Sequence, residues 1–189
     1  MTRREIGVAI GLPEPAHTEL STWRQELGDP NAWAIPPHIT LLPPTAIDEA
    51  DLPDVEEHLR QVAAGEEAFD VYLRGSSTFR PVSPVVFVPL VEGISGCERV
   101  EAKVRSGPLH RELGFPYHPH VTVAHDVGEA MLDRAFVELA TYQARFRVWG
   151  FTMFEQGSDR VWRPQRDFPF GRGGLPGPDF PGDARPSAG

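Results

Sequence analysis

Pro36-Pro37-His38-Ile39-Thr40-Leu41-Leu42 reads as a β-strand with a chemical face, and the same grammar returns at Tyr117-His118-Pro119-His120-Val121-Thr122-Val123. Each copy is a proline, a histidine, a β-branched apolar residue, a threonine and an aliphatic. Side chains alternate faces along a strand, so His and Thr share one face and the aliphatics anchor the other. Two such strands side by side would make a polar cleft holding two imidazoles and two hydroxyls.

Outward from these strands, each half of the chain reads as strand, helix, His-x-Thr strand, helix, strand. In the first half, Ile6–Leu12 is an apolar strand stopped by Pro13 and Pro15. Leu20, Trp23 and Leu27 then mark an amphipathic helix from Ala16 that ends at Gly28. Asp29-Pro30-Asn31 is a turn, and the motif strand runs to about Leu42, where Pro43-Pro44 would end it. A helix over 48–64 comes next, with Leu52, Val55, Leu59 and Val62 as its stripe, and then an alternating strand from Phe69 to Gly75.

The second half opens with the strand Val85–Leu90. A helix over 93–113 is interrupted at Gly107-Pro108, and after the second motif a helix covers 128–140. One long strand, 144–155, leads through the turn at Gly157-Ser158-Asp159 to a last strand at 160–163. The two tripeptides stand 82 positions apart. The expected fold is therefore α+β, with duplicated strand-helix-strand-helix-strand units related by a pseudo-twofold axis. That axis makes a bilobal molecule with antiparallel sheets around a central cleft. The expected domain is 1–165, with lobes at about 5–80 and 84–163. From Pro164 onward prolines and glycines displace any periodicity, so 166–189 is expected to be a flexible tail; Phe168, Phe170 and Phe180 are the residues that could pin part of it to the body or a partner, disorder being the plainer reading.

A length of 189 residues, 40% hydrophobic and 24% charged, suits one globular domain. There is no apolar run of membrane-spanning length and no signal-peptide core at Met1-Thr2-Arg3-Arg4-Glu5. With a single cysteine, Cys97, no internal disulfide framework exists, so a cytoplasmic location is expected. The net charge of −9 disfavours grip on long duplex nucleic acid, which needs many cations facing phosphates. A small nucleotide or an RNA end suits it better, bound by a monomer.

Histidines with pKa values near about 6.5 can share one proton at neutral pH, one acting as base and the other as acid. Cleavage of a phosphodiester needs both acts, on opposite sides of phosphorus. Threonine hydroxyls can hold the non-bridging oxygens between them. This arrangement calls for neither a metal nor a cofactor.

The paired motifs His38-Ile39-Thr40 and His120-Val121-Thr122, in their duplicated setting over about residues 5–163, resemble the two-histidine (2H) phosphoesterase superfamily, in its 2′-5′ RNA ligase-like branch. The resemblance implies a metal-independent phosphodiesterase acting on 2′,3′-cyclic or 1″,2″-cyclic phosphates, 2′-5′ linkages or RNA ends. Some members of that family run the reverse reaction, ligation. By motif match it implies His38 and His120 as catalytic and Thr40 and Thr122 as phosphate-binding. A noncatalytic nucleotide- or RNA-end-binding module is the alternative from another class.

Further substrate contacts are sought among Arg80 and Arg147 for phosphate, Trp33, Phe115 and Tyr117 for base stacking, and His118 at the rim. Each of these has a plain structural reading as well: solvated arginines, packed aromatics, a loop histidine. His118-Pro119-His120 with nearby His125 raises a metal site as a competing reading, one that leaves the first motif unexplained. His125 has the opposite parity to His120 and should end the strand. Trp149 and Trp162 are expected to pack on the sheet, and Cys97 to be inert.

Overall fold

The computed structural model describes residues 2–171. Within them lie the helices α1 Ala16–Glu26, α2 Leu52–Ala64, α3 Ile94–Val104 and α4 Glu129–Glu138. The strands are β1 Arg3–Gly11, β2 His38–Asp48, β3 Phe69–Arg74, β4 Ser77–Thr78 and β5 Val85–Glu92. They continue with β6 His120–His125, β7 Gln143–Val148, β8 Gly150–Gln156 and β9 Trp162–Pro169. Every strand pairing is antiparallel, in the order β7-β3-β5-β6-β2-β1-β8-β9, with β4 added on β5. The α+β duplication expected from the sequence is present, and the motif strands β2 and β6 are neighbours at the centre of the sheet.

The pseudo-twofold axis passes between those two strands. On one side stand β2, β1, β8 and β9; on the other, β6, β5, β3 and β7. The third strand of each repeat has crossed over: β3 pairs with β5 and β7, whereas β8 pairs with β1 and β9. Helices cross as well, α1 packing on β6 and α3 on β2. The two sequence halves, 5–80 and 84–163, are thus interleaved in space, and each half completes the other's sheet. Leu20 and Leu27 of the α1 segment, Leu59 of α2, Val100 of α3 and Leu132 of α4 bury the apolar stripes that their spacing announced. Only glycine serves at Gly93, between β5 and α3: its φ is +90°, and a Cβ there would lie 2.7 Å from the Asp70 carbonyl oxygen.

Four expectations need correction. β2 does not stop at Pro43-Pro44 but runs on to Asp48. Its partners step from Val8↔Leu42 to Ile6↔Thr45, so the two prolines bulge opposite Gly7, where their missing N–H groups leave no ladder bond unmade. The helix expected over 93–113 ends at Val104; only a short 3₁₀ turn, Gly107–Leu109, intervenes before an irregular approach to the second motif. The long strand 144–155 is two strands divided at Trp149, because the chain there leaves β3 for β1, and the Trp149 carbonyl accepts from the Phe170 N–H at 2.7 Å.

The last correction concerns the tail. Residues 166–169 continue β9, paired with β8 from Gln156↔Trp162 to Gly150↔Pro169. Phe168 and Phe170 are 3% and 6% exposed and pack in a cluster with Phe151, one ring tilted and the other edge-on. Their rings are core, so the folded domain extends at least to Gly171. Phe180 and the remainder of the expected tail lie outside the described residues.

Candidate active site

The site starts from one backbone pairing, Ile39 opposite Val121, which joins β2 to β6. Both side chains are fully buried beneath the sheet, each burial contributing about 1.5–3 kcal/mol. The antiparallel register then sets His38 beside Thr122 and Thr40 beside His120, all four on the opposite face. Each histidine therefore neighbours the threonine of the other repeat.

Both imidazoles are tied down in the same way. His38 Nδ1 lies 2.8 Å from the Pro36 carbonyl oxygen, and His120 Nδ1 lies 2.7 Å from the His118 carbonyl oxygen. A carbonyl only accepts, so Nδ1 carries the proton in each ring and Nε2 is left as the working nitrogen. Pro37 and Pro119, both buried, fix the backbone between each histidine and its anchoring carbonyl. The proline ahead of each motif is thus part of the device that sets the tautomer.

The surroundings of the two rings differ. His120 sits in an aromatic corner, its ring centroid 5.1 Å from Phe79, 5.0 Å from Phe87 and 6.1 Å from His118. Burial there lowers its pKa below the ordinary 6.5. His38 faces the α1 side, where burial, opposed in part by its bond to Pro36, brings its pKa down to about 4; the Arg24 guanidinium and His120 push the same way. Both rings are consequently neutral at pH 7.

Immediately after each threonine the strand bulges. β2 steps from Ala9↔Thr40 to Val8↔Leu42, and β6 steps from Phe87↔Thr122 to Val86↔Ala124, one residue extra in each case. A bulge reverses the parity of the residues beyond it. His125, expected to point away, consequently joins the cleft face. The resulting cleft has a volume of about 240 Å³ and is lined by His38, Thr40, Thr122 and His125 with Arg24, Asp29, Ile35 and Trp162.

The other candidate residues divide. His118 supplies the anchoring carbonyl and stands beside His120, at the rim as expected. Tyr117 is not a stacking platform: it packs against the core, and its hydroxyl donates to the Thr40 carbonyl at 2.8 Å. Burial raises its pKa, so it acts as a neutral strut between the two motifs. Arg80 is spent on Glu129 and Asp133 of α4, at 2.9 and 2.8 Å. Arg147 lies on the sheet-edge strand β7 and pairs with Asp70 at 3.1 Å. Neither arginine lines the cleft. Trp33 and Phe115, in the loops entering the two motifs, are 77% and 79% exposed. Cys97 is buried, its thiol pushed up to about 12 by burial, and is inert as a nucleophile at neutral pH. Among the described residues no three His, Cys, Asp or Glu side chains gather as a metal cluster would require.

Arg24, Asp29 and His125 are cleft residues that sequence reasoning passed over. Arg24 was hidden on an amphipathic helix as one more polar position. Asp29 was read as a turn former, and His125 was misdirected by strict strand parity.

The sequence description of the 2′-5′ RNA ligase superfamily matches residues 12–160. A protein of Oceanobacillus iheyensis bearing a provisional phosphoesterase name is 29% identical over 172 residues, which cover 89% of this chain and 99% of that one. A protein of Halalkalibacterium halodurans with the same kind of name is 30% identical over 121 residues, 64% of this chain and 70% of its own. Among solved structures, E. coli LigT complexed with 3′-AMP superposes with a TM-score of 0.67 at 18% identity, over 90% of this chain and all of that one. That likeness is one of fold.

Proposed function

Because the chain belongs to the 2′-5′ RNA ligase superfamily, we propose that it is a metal-independent phosphodiesterase acting on a small cyclic phosphate, a 2′-5′ linkage or an RNA end. The observation that carries this reading is the pair of Nδ1-anchored histidines set across the Ile39–Val121 pairing, each beside the other repeat's threonine. The phosphoesterase names of the relatives and the 3′-AMP bound by LigT support the substrate class.

In this reading the phosphate lies between the histidines. Thr40 and Thr122 donate to its non-bridging oxygens, holding phosphorus in line with both Nε2 atoms. One neutral imidazole removes a proton from the attacking water as the new P–O bond forms. The other, protonated, gives its proton to the leaving ribose oxygen as the old bond breaks. The charges left on the two rings exchange with solvent before the next cycle. Ligation follows the same path with the ribose hydroxyl of a second strand in place of water. That hydroxyl loses its proton to the base as its P–O bond forms, and the cyclic ester's leaving oxygen gains one from the acid. The exposed rings of Trp33 and Phe115, in the loops that enter the two motifs, are the candidates for stacking on a base.

The depressed histidine pKa values fix the pH dependence. The productive free enzyme holds one proton beyond the two fixed on Nδ1, shared by two rings whose pKa values both lie below 6.5, that of His38 at about 4. Above the higher value this form thins about tenfold per pH unit, so kcat/KM for a cyclic diester should fall as pH rises from 6.5 to 8.5. The bound phosphate's negative charge raises the acid's pKa, so kcat should fall less steeply. Parallel profiles of both parameters check this, and a kcat/KM that rises with pH over that range contradicts it. The function itself is tested with 2′,3′-cyclic nucleotides, 2′-5′ dinucleotides and a 1″,2″-cyclic phosphate in excess chelator, read by product regiochemistry. Hydrolysis of at least one is expected; binding without product over hours would instead identify a noncatalytic module.

A further inference from the structure

Arg24 is a charged side chain that the two-histidine scheme leaves unused, although it is 4% exposed and lines the cleft with His38, Thr40 and Thr122. Its position is built with care. Nε donates to Asp29 Oδ2 at 2.9 Å, and Nη1 donates to the Ile35 carbonyl at 2.6 Å. The other Asp29 oxygen accepts the Asn31 N–H at 2.8 Å, so both carboxylate oxygens are occupied. Ile35 adjoins Pro36, whose carbonyl anchors His38.

The remaining terminal nitrogen, Nη2, has no hydrogen-bond partner among the described residues. Yet among those residues no buried side-chain nitrogen or oxygen lacks a partner. Nη2 is therefore reached by solvent, and a side chain this enclosed meets solvent where it lines the cleft. A buried ion pair kept only for stability is weakly favourable at best, since desolvation of both charges offsets their attraction. An arginine held on two edges with its third edge open to a cleft is a donor prepared for an anion.

We propose that Arg24 is the anion-recognition residue of this cleft, its Nη2 donating to a non-bridging oxygen of the substrate's phosphate beside Thr40. This deepens the phosphodiesterase reading and rests on it for the identity of the anion. It breaks the pseudo-symmetry of the site: a fixed cation stands at the His38 end, while aromatic rings surround His120.

The test uses inorganic phosphate as probe and needs no turnover. Binding to the full chain is followed by calorimetry or by ³¹P NMR. Arg24→Lys keeps the charge but cannot hold Asp29 and Ile35 while reaching the anion, so phosphate affinity should fall roughly tenfold to a hundredfold. Asp29→Asn leaves one acceptor where Arg24 Nε–H and the Asn31 N–H use two, so the Arg24 anchor loosens and phosphate should bind more weakly. The Asp29→Asn result stands by itself if Arg24→Lys does not fold. Folded Arg24→Lys with affinity within twofold of the parent, Asp29→Asn with unchanged or tighter affinity, or a parent chain that binds no phosphate overturns the proposal. A chain that binds phosphate through Arg24 but cleaves no diester would overturn the enzymatic reading alone.

Discussion

Replacing either His38 or His120 with alanine is expected to lower kcat on a susceptible cyclic diester by roughly 10²–10⁴-fold. In the proposed mechanism each ring supplies one proton transfer from a fixed position across the Ile39–Val121 pairing. Thr40 and Thr122 are not bases and Cys97 is sealed in the core; His125 in the cleft and His118 beside His120 hold no motif position, so either would compensate only in part. The two losses should not add in full. With one partner gone the remaining transfer still needs its missing counterpart, so the double variant should sit close to the worse single one. Both alanine variants should remain folded, because the packing of this region resides in Ile39 and Val121 on the other face. Circular dichroism beside steady-state rates separates the effects; turnover within tenfold of the parent in either folded variant would defeat the acid-base assignment.

Phe170→Ala should reduce stability by about 3–5 kcal/mol, the range for removing a buried aromatic ring. Typical domains hold only about 5–15 kcal/mol in total, so this one change removes a large share. The ring is 6% exposed, lies 6.1 Å from Phe69 in a stacked arrangement and meets Phe151 edge-on at 6.0 Å. Its backbone N–H closes the gap at Trp149, where the chain passes from β7 to β8, and the next N–H, of Gly171, donates to the Ala63 carbonyl of α2. Losing the ring leaves a cavity among elements drawn from both repeats, with little freedom to collapse. Urea unfolding reads the effect in the midpoint, and a loss below about 1 kcal/mol would return Phe170 to the status of a loose tail residue.

The strand that leads to Phe170 also shapes the cleft. β9 begins at Trp162, whose N–H donates to the Ala34 carbonyl at 2.7 Å and whose side chain lines the cleft. The loop held in this way carries Trp33 on one side and the Ile35 carbonyl that binds Arg24 on the other. The expected last strand is thus, at Trp162, one wall of the candidate active site, and its unexpected continuation carries Phe168 and Phe170 into the core.

By itself, the sequence determined the local grammar. Period-two alternation put His38 with Thr40 and His120 with Thr122, because covalent geometry alone turns alternate side chains to one face. Repetition of the tripeptide predicted that the two faces would meet, and helical periodicity located Leu20, Leu59, Val100 and Leu132 as core. Only the tertiary structure decided which strands would pair across the repeats, and most of the remaining site results from those pairings. The exchange of β3 and β8 divides the 144–155 stretch at Trp149, and pairing to β8 makes core of Phe168 and Phe170. Bulges after Thr40 and Thr122 exist only against β1 and β5, and the second of them turns His125 inward. Arg80 was claimed by acids on α4, whereas Arg24 was enclosed beside His38. The acids that hold Arg80 lie 49 and 53 residues away, and the acceptors that hold Arg24 five and eleven, in a loop whose path the fold sets; no periodicity records either set.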